Sequence, residues 1–161
     1  DENDKALLIE AMFVLETLAP ARLQADRFLP PTPLRIMVNH KKESLTLDLP
    51  KLVKGAPYKL LDNPQIHREI LPGMLKAAKS FAEEQAQAII AESRKTMARQ
   101  LQSEIDRLTS LRKVNDHVRP EEIEMAREQL ARLTSALAQS RVRLDAVRLI
   151  WKGPPESIGG A

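Results

Sequence analysis

Between Asn63 and Leu137 the apolar residues recur at helical spacing in two blocks, and this pairing limits the fold more than any other feature of the chain. At ~100° per residue, Ile90, Met97, Leu101, Ile105, Leu108 and Leu111 fall within about a third of a helix circumference, forming one apolar stripe. Such a stripe has to be covered. The second block supplies the cover: Pro120 with Glu121 and Glu122 makes a helix start, and Ile123, Ala126, Leu130, Leu133 and Leu137 follow at three- and four-residue steps. Only the short run NDHVR separates the blocks, so the two helices are expected to pack antiparallel as a hairpin. Upstream, Asn63 is placed to cap a helix whose first position is Pro64. Pro72 removes a backbone donor and clashes with the preceding turn. The pattern therefore predicts a short helix Pro64 to Leu71, a kink or restart near Gly73, and a main helix reaching Val114. At ~1.5 Å per residue, roughly 40 residues make a rod of about 60 Å, so part of it is expected to project.

Outside these blocks the pattern is that of strands. Leu34, Ile36 and Val38 alternate with Arg35 and Met37 after Pro33, which cannot donate to a ladder and suits a strand start. A third run, Leu45, Leu47 and Leu49 against Thr46 and Asp48, reads as a half-buried edge strand stopped by Pro50. The last periodic element, RLDAVRLIWK from Arg143 to Lys152, is strand-like and could pair with the first two. Lys5 to Leu18 is open to two readings. Its Ala, Leu, Met and Glu favour a helix, whereas Ile9, Phe13 and Val14 in a short apolar run suit a strand packed on both faces. Prolines 30, 31 and 33 suggest either a polyproline ligand or a rigid corner, and the strand that follows favours the corner.

No catalytic constellation emerges. There is no GxxxxGK run to cradle phosphates, and the five glycines include one adjacent pair, Gly159 and Gly160, near the end. His40, His67 and His117 lie in separate segments without ligand spacing, and the Glu83–Glu84 and Glu121–Glu122 pairs read as solvated helix positions. No catalytic, cofactor or metal residue is therefore assigned. The chain has no cysteine, which rules out a disulfide framework and thiolate metal sites. Its longest apolar run, Ala11 to Leu15, is too short to span a bilayer, and Asp1, Glu2 and Asp4 are unlike a signal peptide. A cytoplasmic protein without membrane contact is expected. A start at Asp1 and a PPESIGGA end lead us to expect an excised domain.

With 25 basic and 22 acidic residues the net charge is +3, too balanced for a strong basic field. Aromatic residues make up 3%, which disfavours stacking on single-stranded nucleic acid. Lys95, Arg99 and Lys113 share a helix side with Glu92 and Asp106, so that face alternates in sign. The less diluted group is Arg141, Arg143, Arg148 and Lys152, with Asp145 its only acid, and it is the candidate partner-binding patch.

Three segments then carry a resemblance: KALLIEAMFVLETLAP, RFLPPTPLRIMVNH, and the run from Ser103 to Ile150. In order and spacing they resemble the C-terminal domain of the bacterial RNA polymerase-associated recycling ATPase family, RapA. Leu108, Leu111, Arg112, Val114 and Asn115, the RFLPPTP run and RLDAVRLI are the specific parts, while Ser44 to Asp62 matches poorly. The resemblance implies a parent that is a Swi/Snf-like, helicase-related motor, using ATP and Mg and binding DNA, which releases RNA polymerase for reuse. No motor motif is present, so the resemblance implies a non-catalytic accessory domain whose partners are the rest of the motor and RNA polymerase, with DNA reached through the parent. It also implies that Lys5 to Leu18 is a strand.

The expected fold is α+β: a small antiparallel sheet from both chain ends carrying a long antiparallel helical hairpin. The expected organisation is one domain over 1–161, with a sheet base at about 5–50 and 143–152, a hairpin at about 64–140 and a disordered tail at 153–161. The fragment is expected to be monomeric. A free-standing coiled-coil adaptor is the alternative.

Overall fold

The computed structural model describes residues 6–48, 52–55 and 58–153. Within it the chain forms two compact units. One takes in the chain up to Val14, Pro33–Glu84 and the chain from Val142 onward; the other takes in Leu15–Thr32 and Gln85–Arg141.

The first unit is organised by a four-stranded antiparallel sheet from both chain ends, as expected for an α+β chain. Its strands are β1 (Ala6–Glu16), β2 (Thr32–Asn39), β3 (Ser44–Leu45) and β4 (Arg141–Lys152), in the order β3-β2-β1-β4. β1 resolves the strand-or-helix choice in favour of strand. It lies between two neighbours, and a central strand can be apolar on both faces because both are covered. Leu7, Ile9, Ala11 and Phe13 on one face are buried, and Leu8 and Glu10 on the other are buried too.

β2 follows the predicted alternation through buried Leu34, Ile36 and Val38, but Met37 is buried as well. It joins Leu8 and Ile150 in a small cluster on the opposite face, with Ala6 and Leu45 packed against it. Pro33 lies inside β2 and not at its first position. The missing donor is tolerated because, among the described residues, β3 pairs with Met37 and Val38 alone, which leaves the start of β2 without a described neighbour on that side. The β2–β3 turn is closed by Asn39, whose Oδ1 accepts from the amides of Lys41 (3.0 Å) and Glu43 (2.9 Å).

Two expectations are corrected here. The third strand does not run through Leu45 to Leu49: it ends at Leu45, and Thr46, Leu47 and Asp48 are exposed. Leu45 packs against the Leu8, Met37 and Ile150 cluster, whereas Leu47 is exposed; Leu49 and Pro50 lie outside the described residues. Likewise, of the kink or restart expected near Gly73 after a short helix Pro64 to Leu71, there is no restart, and the irregularity is a π-helical turn ahead of Pro72. Asn63 caps as expected, accepting from the Gln65 amide at 3.0 Å, and a π-helical turn (Ile66–Ile70) leads without a break into the long helix. The Leu71 amide reaches back to the Ile66 carbonyl, an i→i−5 bond that widens the turn just before Pro72 and accommodates its ring. The disordered-tail expectation falls, from 154 on, outside the described residues.

A four-residue helix, α1 (Tyr58–Leu61), precedes this turn. The long helix α2 (Leu71–Arg112) buries Met74, Ala78 and Ala82 in the first unit and Ala86, Ile90, Met97 and Ile105 in the second, largely at four-residue steps along one face. In the second unit α3 (Pro120–Ala138) buries Ile123, Leu133 and Leu137 and forms the expected antiparallel hairpin with α2. Two single-turn 3-10 helices, Ala21–Leu23 and Ala25–Arg27, contact α3, bringing in buried Leu23 and Ala25. Of the proline-rich run expected to form a corner, Pro30 and Pro31 precede β2 and Pro33 lies within it. Leu29 is buried, the Arg27 guanidinium lies 5.3 Å from the Phe28 ring centroid, and β2 starts at Thr32.

Candidate functional site

The hairpin turn is built by a few local bonds. The Lys113 and Val114 amides donate to the Ser110 and Leu111 carbonyls (3.2 Å each) and close the end of α2. Asn115 then folds the loop back: its Oδ1 accepts from the His117 amide at 3.0 Å, and its carbonyl accepts from Val118 at 3.3 Å. Val118 is buried, whereas Val114 is 84% exposed. Arg119 holds the N-cap position of α3 without a side-chain cap, so Pro120 at the first helical position and acidic Glu121 and Glu122 define that end. Of the residues that carry the resemblance, Asn115 thus has a visible structural task, shaping the turn.

Two shallow grooves flank the hairpin. The first, of about 440 Å³, lies at the closed end, with Thr109, Pro120 and Ile123 beneath Arg112, Lys113, Glu124 and Arg127. The Thr109 hydroxyl is taken up by the Ile105 carbonyl (2.7 Å), and Glu124 faces Arg127 at 3.7 Å. Among the described residues, neither Arg112 nor Lys113 has a carboxylate within ion-pair distance. The second groove, of about 520 Å³, has Leu23, Leu108, Met125 and Ala126 between charged residues of both signs, Arg22, Arg132, Glu104, Glu122 and Glu128. Three of these five charges, Glu104, Glu128 and Arg132, are held in ion pairs. Glu128 accepts from Arg132 at 2.5 Å, and Glu104 takes a two-pronged bond from Arg107, at 2.6 and 3.0 Å. The Arg107 hydrogen bond holds the Glu104 carboxyl below its ordinary pKa and raises that of Arg107.

The four predicted cations are not gathered into one patch. Alternate positions of a strand point to opposite faces, so Arg141 and Arg143 fall on one side of β4 and Arg148 and Lys152 on the other. Arg141 pairs with Glu16 (3.3 Å), Arg143 with Asp145 (3.2 Å) and Arg148 with Glu10 (3.3 Å), and Lys152 is also engaged. Glu10 is shared, since Arg35 on β2 bonds to its other oxygen. The resulting row Arg35–Glu10–Arg148 crosses three strands around the one charged residue buried among those described.

The three histidines remain apart. His40 donates its amide to the Leu7 carbonyl, His67 contacts the Asn63 carbonyl through Nδ1 at 3.2 Å, and His117 is exposed in the hairpin turn. Among the described residues no group of three His, Asp or Glu could hold a metal ion. No helix among them is long and apolar enough to cross a membrane. Both grooves escape a sequence reading, because each needs partners from separate segments. Arg22 and Leu23 come from a stretch that reads only as a turn-rich connection.

Residues 2–152 match the sequence profile described as RNA polymerase recycling family C-terminal. The chain is 33% identical over 153 residues to the RNA polymerase-associated protein RapA of Pectobacterium carotovorum, 32% to that of Haemophilus influenzae over the same length, and 35% over 155 residues to that of Sodalis glossinidius. Each alignment covers 89% of this chain and 16% of the relative, so the chain spans about a sixth of the length of the curated relatives it matches.

Proposed function

The chain belongs to the RNA polymerase recycling family, matching its C-terminal part, and from that premise we propose that it is the accessory domain of a longer polymerase-associated motor. The observation that carries this reading is the continuous family match over residues 2–152. In the proposal the parent is an ATP-dependent, DNA-binding, helicase-like transcription factor of the cytoplasm that promotes polymerase recycling. ATP and Mg are handled outside this chain, which has no GxxxxGK run and turns over no nucleotide by itself.

Its task is positional. A hairpin with Met97, Leu133 and Leu137 fully buried is a stiff element, suited to hold a surface at a fixed place against the motor or the polymerase. The sheet cations Arg143 and Arg148 take part through their existing ion pairs, as local structure more than as an anion site. The domain works as a monomer, with its helices satisfied by each other.

The test is gel filtration of the purified 161-residue chain with bacterial RNA polymerase, alongside light scattering and an ATPase assay. Co-elution with polymerase, a monomer mass and no phosphate release are the expected results. ATP turnover by this chain would overturn the accessory reading, and concentration-dependent dimerisation would favour the coiled-coil adaptor.

A further inference from the structure

Building on the accessory-domain reading, we propose that the groove at the closed end of the hairpin docks an acidic polypeptide segment that inserts an apolar side chain between α2 and α3. The groove carries one dominant sign. Arg112, Lys113 and Arg127 face it against a single carboxylate, Glu124, which is already set against Arg127. Arg112 and Lys113 have no carboxylate in ion-pair range among the described residues, and neither does Arg119 at the start of α3. The C-terminus of α2 favours cations near its free carbonyls, which explains why the pair is tolerated there without neutralising it.

The second groove is a built-in contrast. Glu104 and Glu128 are each taken by an arginine of the same helix, and the charges left over, Arg22 and Glu122, are of opposite sign, so that groove carries no dominant sign. The nearby acids Asp116, Glu121 and Glu122 are on the loop and the first turn of α3, and none lines the basic groove.

The same features select a polypeptide over a nucleic acid. A phosphate backbone needs a longer row of cations, and single strands need aromatic platforms; this groove has three cations and no aromatic residue. What it has instead is an apolar floor of Pro120 and buried Ile123, which a leucine or similar side chain can cover while flanking carboxylates reach Arg112 and Lys113.

The test titrates the ¹⁵N-labelled chain with three probes: a short peptide alternating glutamate and leucine, its lysine–leucine counterpart, and single-stranded oligothymidine. The acidic peptide should move the amides of Arg112, Lys113, Ile123 and Arg127 saturably, and added salt should weaken it. Arg112→Glu with Lys113→Glu should weaken binding about tenfold or more, while Arg132→Ala in the other groove binds like the parent. Should the double variant lose its fold, Arg112→Gln and Lys113→Gln singly give the same reading with smaller losses. Shifts mapping elsewhere, equal binding of the lysine peptide, tighter oligothymidine binding in the groove, or no saturable shift would each overturn the proposal. The two readings also fail separately. If the charge-reversed chain still co-elutes with polymerase as the parent does, the groove is not the docking point, although the family-based function stands.

Discussion

Glu10→Gln isolates the one buried charge in the described sheet. The substitution keeps shape and volume but removes the carboxylate that Arg35 and Arg148 share. A fully desolvated hydrogen bond to a charged group contributes roughly 1.5–3 kcal/mol, and an exposed ion pair about 0.2–1 kcal/mol. Here the Glu10 side chain is 9% exposed, whereas those of Arg35 and Arg148 are 49% and 62% exposed, so both guanidinium groups can turn to water. That places each pair near the top of the exposed range, and the expected loss for Glu10→Gln is about 1–2 kcal/mol. Urea unfolding followed by circular dichroism reads this directly. A thermal scan should show a fall of roughly 2–8 °C, at about 2–4 °C per kcal/mol for a chain of this size. Glu10→Lys should cost more, since it puts a third cation between two others. An unchanged midpoint for Glu10→Gln, or a stabilised Glu10→Lys, would refute the idea that this row of charges holds the three strands together.

Leu133→Ala removes a fully buried side chain from the hairpin and should cost about 3–4 kcal/mol, while Met125→Ala, at 69% exposed, should change stability by less than about 0.5 kcal/mol, both by urea unfolding. Pro72→Ala removes the ring that the π-helical turn accommodates, so amide shifts confined to residues 66–72 and a stability gain of up to about 1 kcal/mol are expected, and a loss would contradict that account. Glu104 should titrate below an ordinary glutamate by carbon-detected NMR. Its pKa is lowered in the folded chain, so the small stabilisation it brings is present above the unfolded value and fades as pH falls through the folded one; Arg107→Ala should return it to the usual range.

Local pattern carried much of the architecture. Asn63 and Pro64, the stripe through Met97 and Ile105, and the start at Pro120 are visible in sequence because a cap or a helical period is set by residues within a few positions of one another. Leu45 to Leu49 looks like a strand by the same rule and is mostly not one. Alternation marks what could be buried; Leu45 is covered by Leu8, Met37 and Ile150, and Leu47 stays exposed. Similarly, the run from Arg141 to Lys152 reads as a basic cluster along the chain, and only the pairing of Arg141 with Glu16 and of Arg148 with Glu10 shows that much of that charge is spent.

The amino-acid sequence by itself therefore determined the hairpin, the strand order along the chain and, through its family motifs, the lineage of the domain. Tertiary structure alone decided that β1 is a central strand, that Pro72 is absorbed by a widened turn, and which cations stay unpaired. The physical reason is range. Helical period and capping depend on neighbours a few residues away, whereas burial of a face and neutralisation of a charge depend on partners such as Glu10 and Arg148, which only folding brings within 3.3 Å.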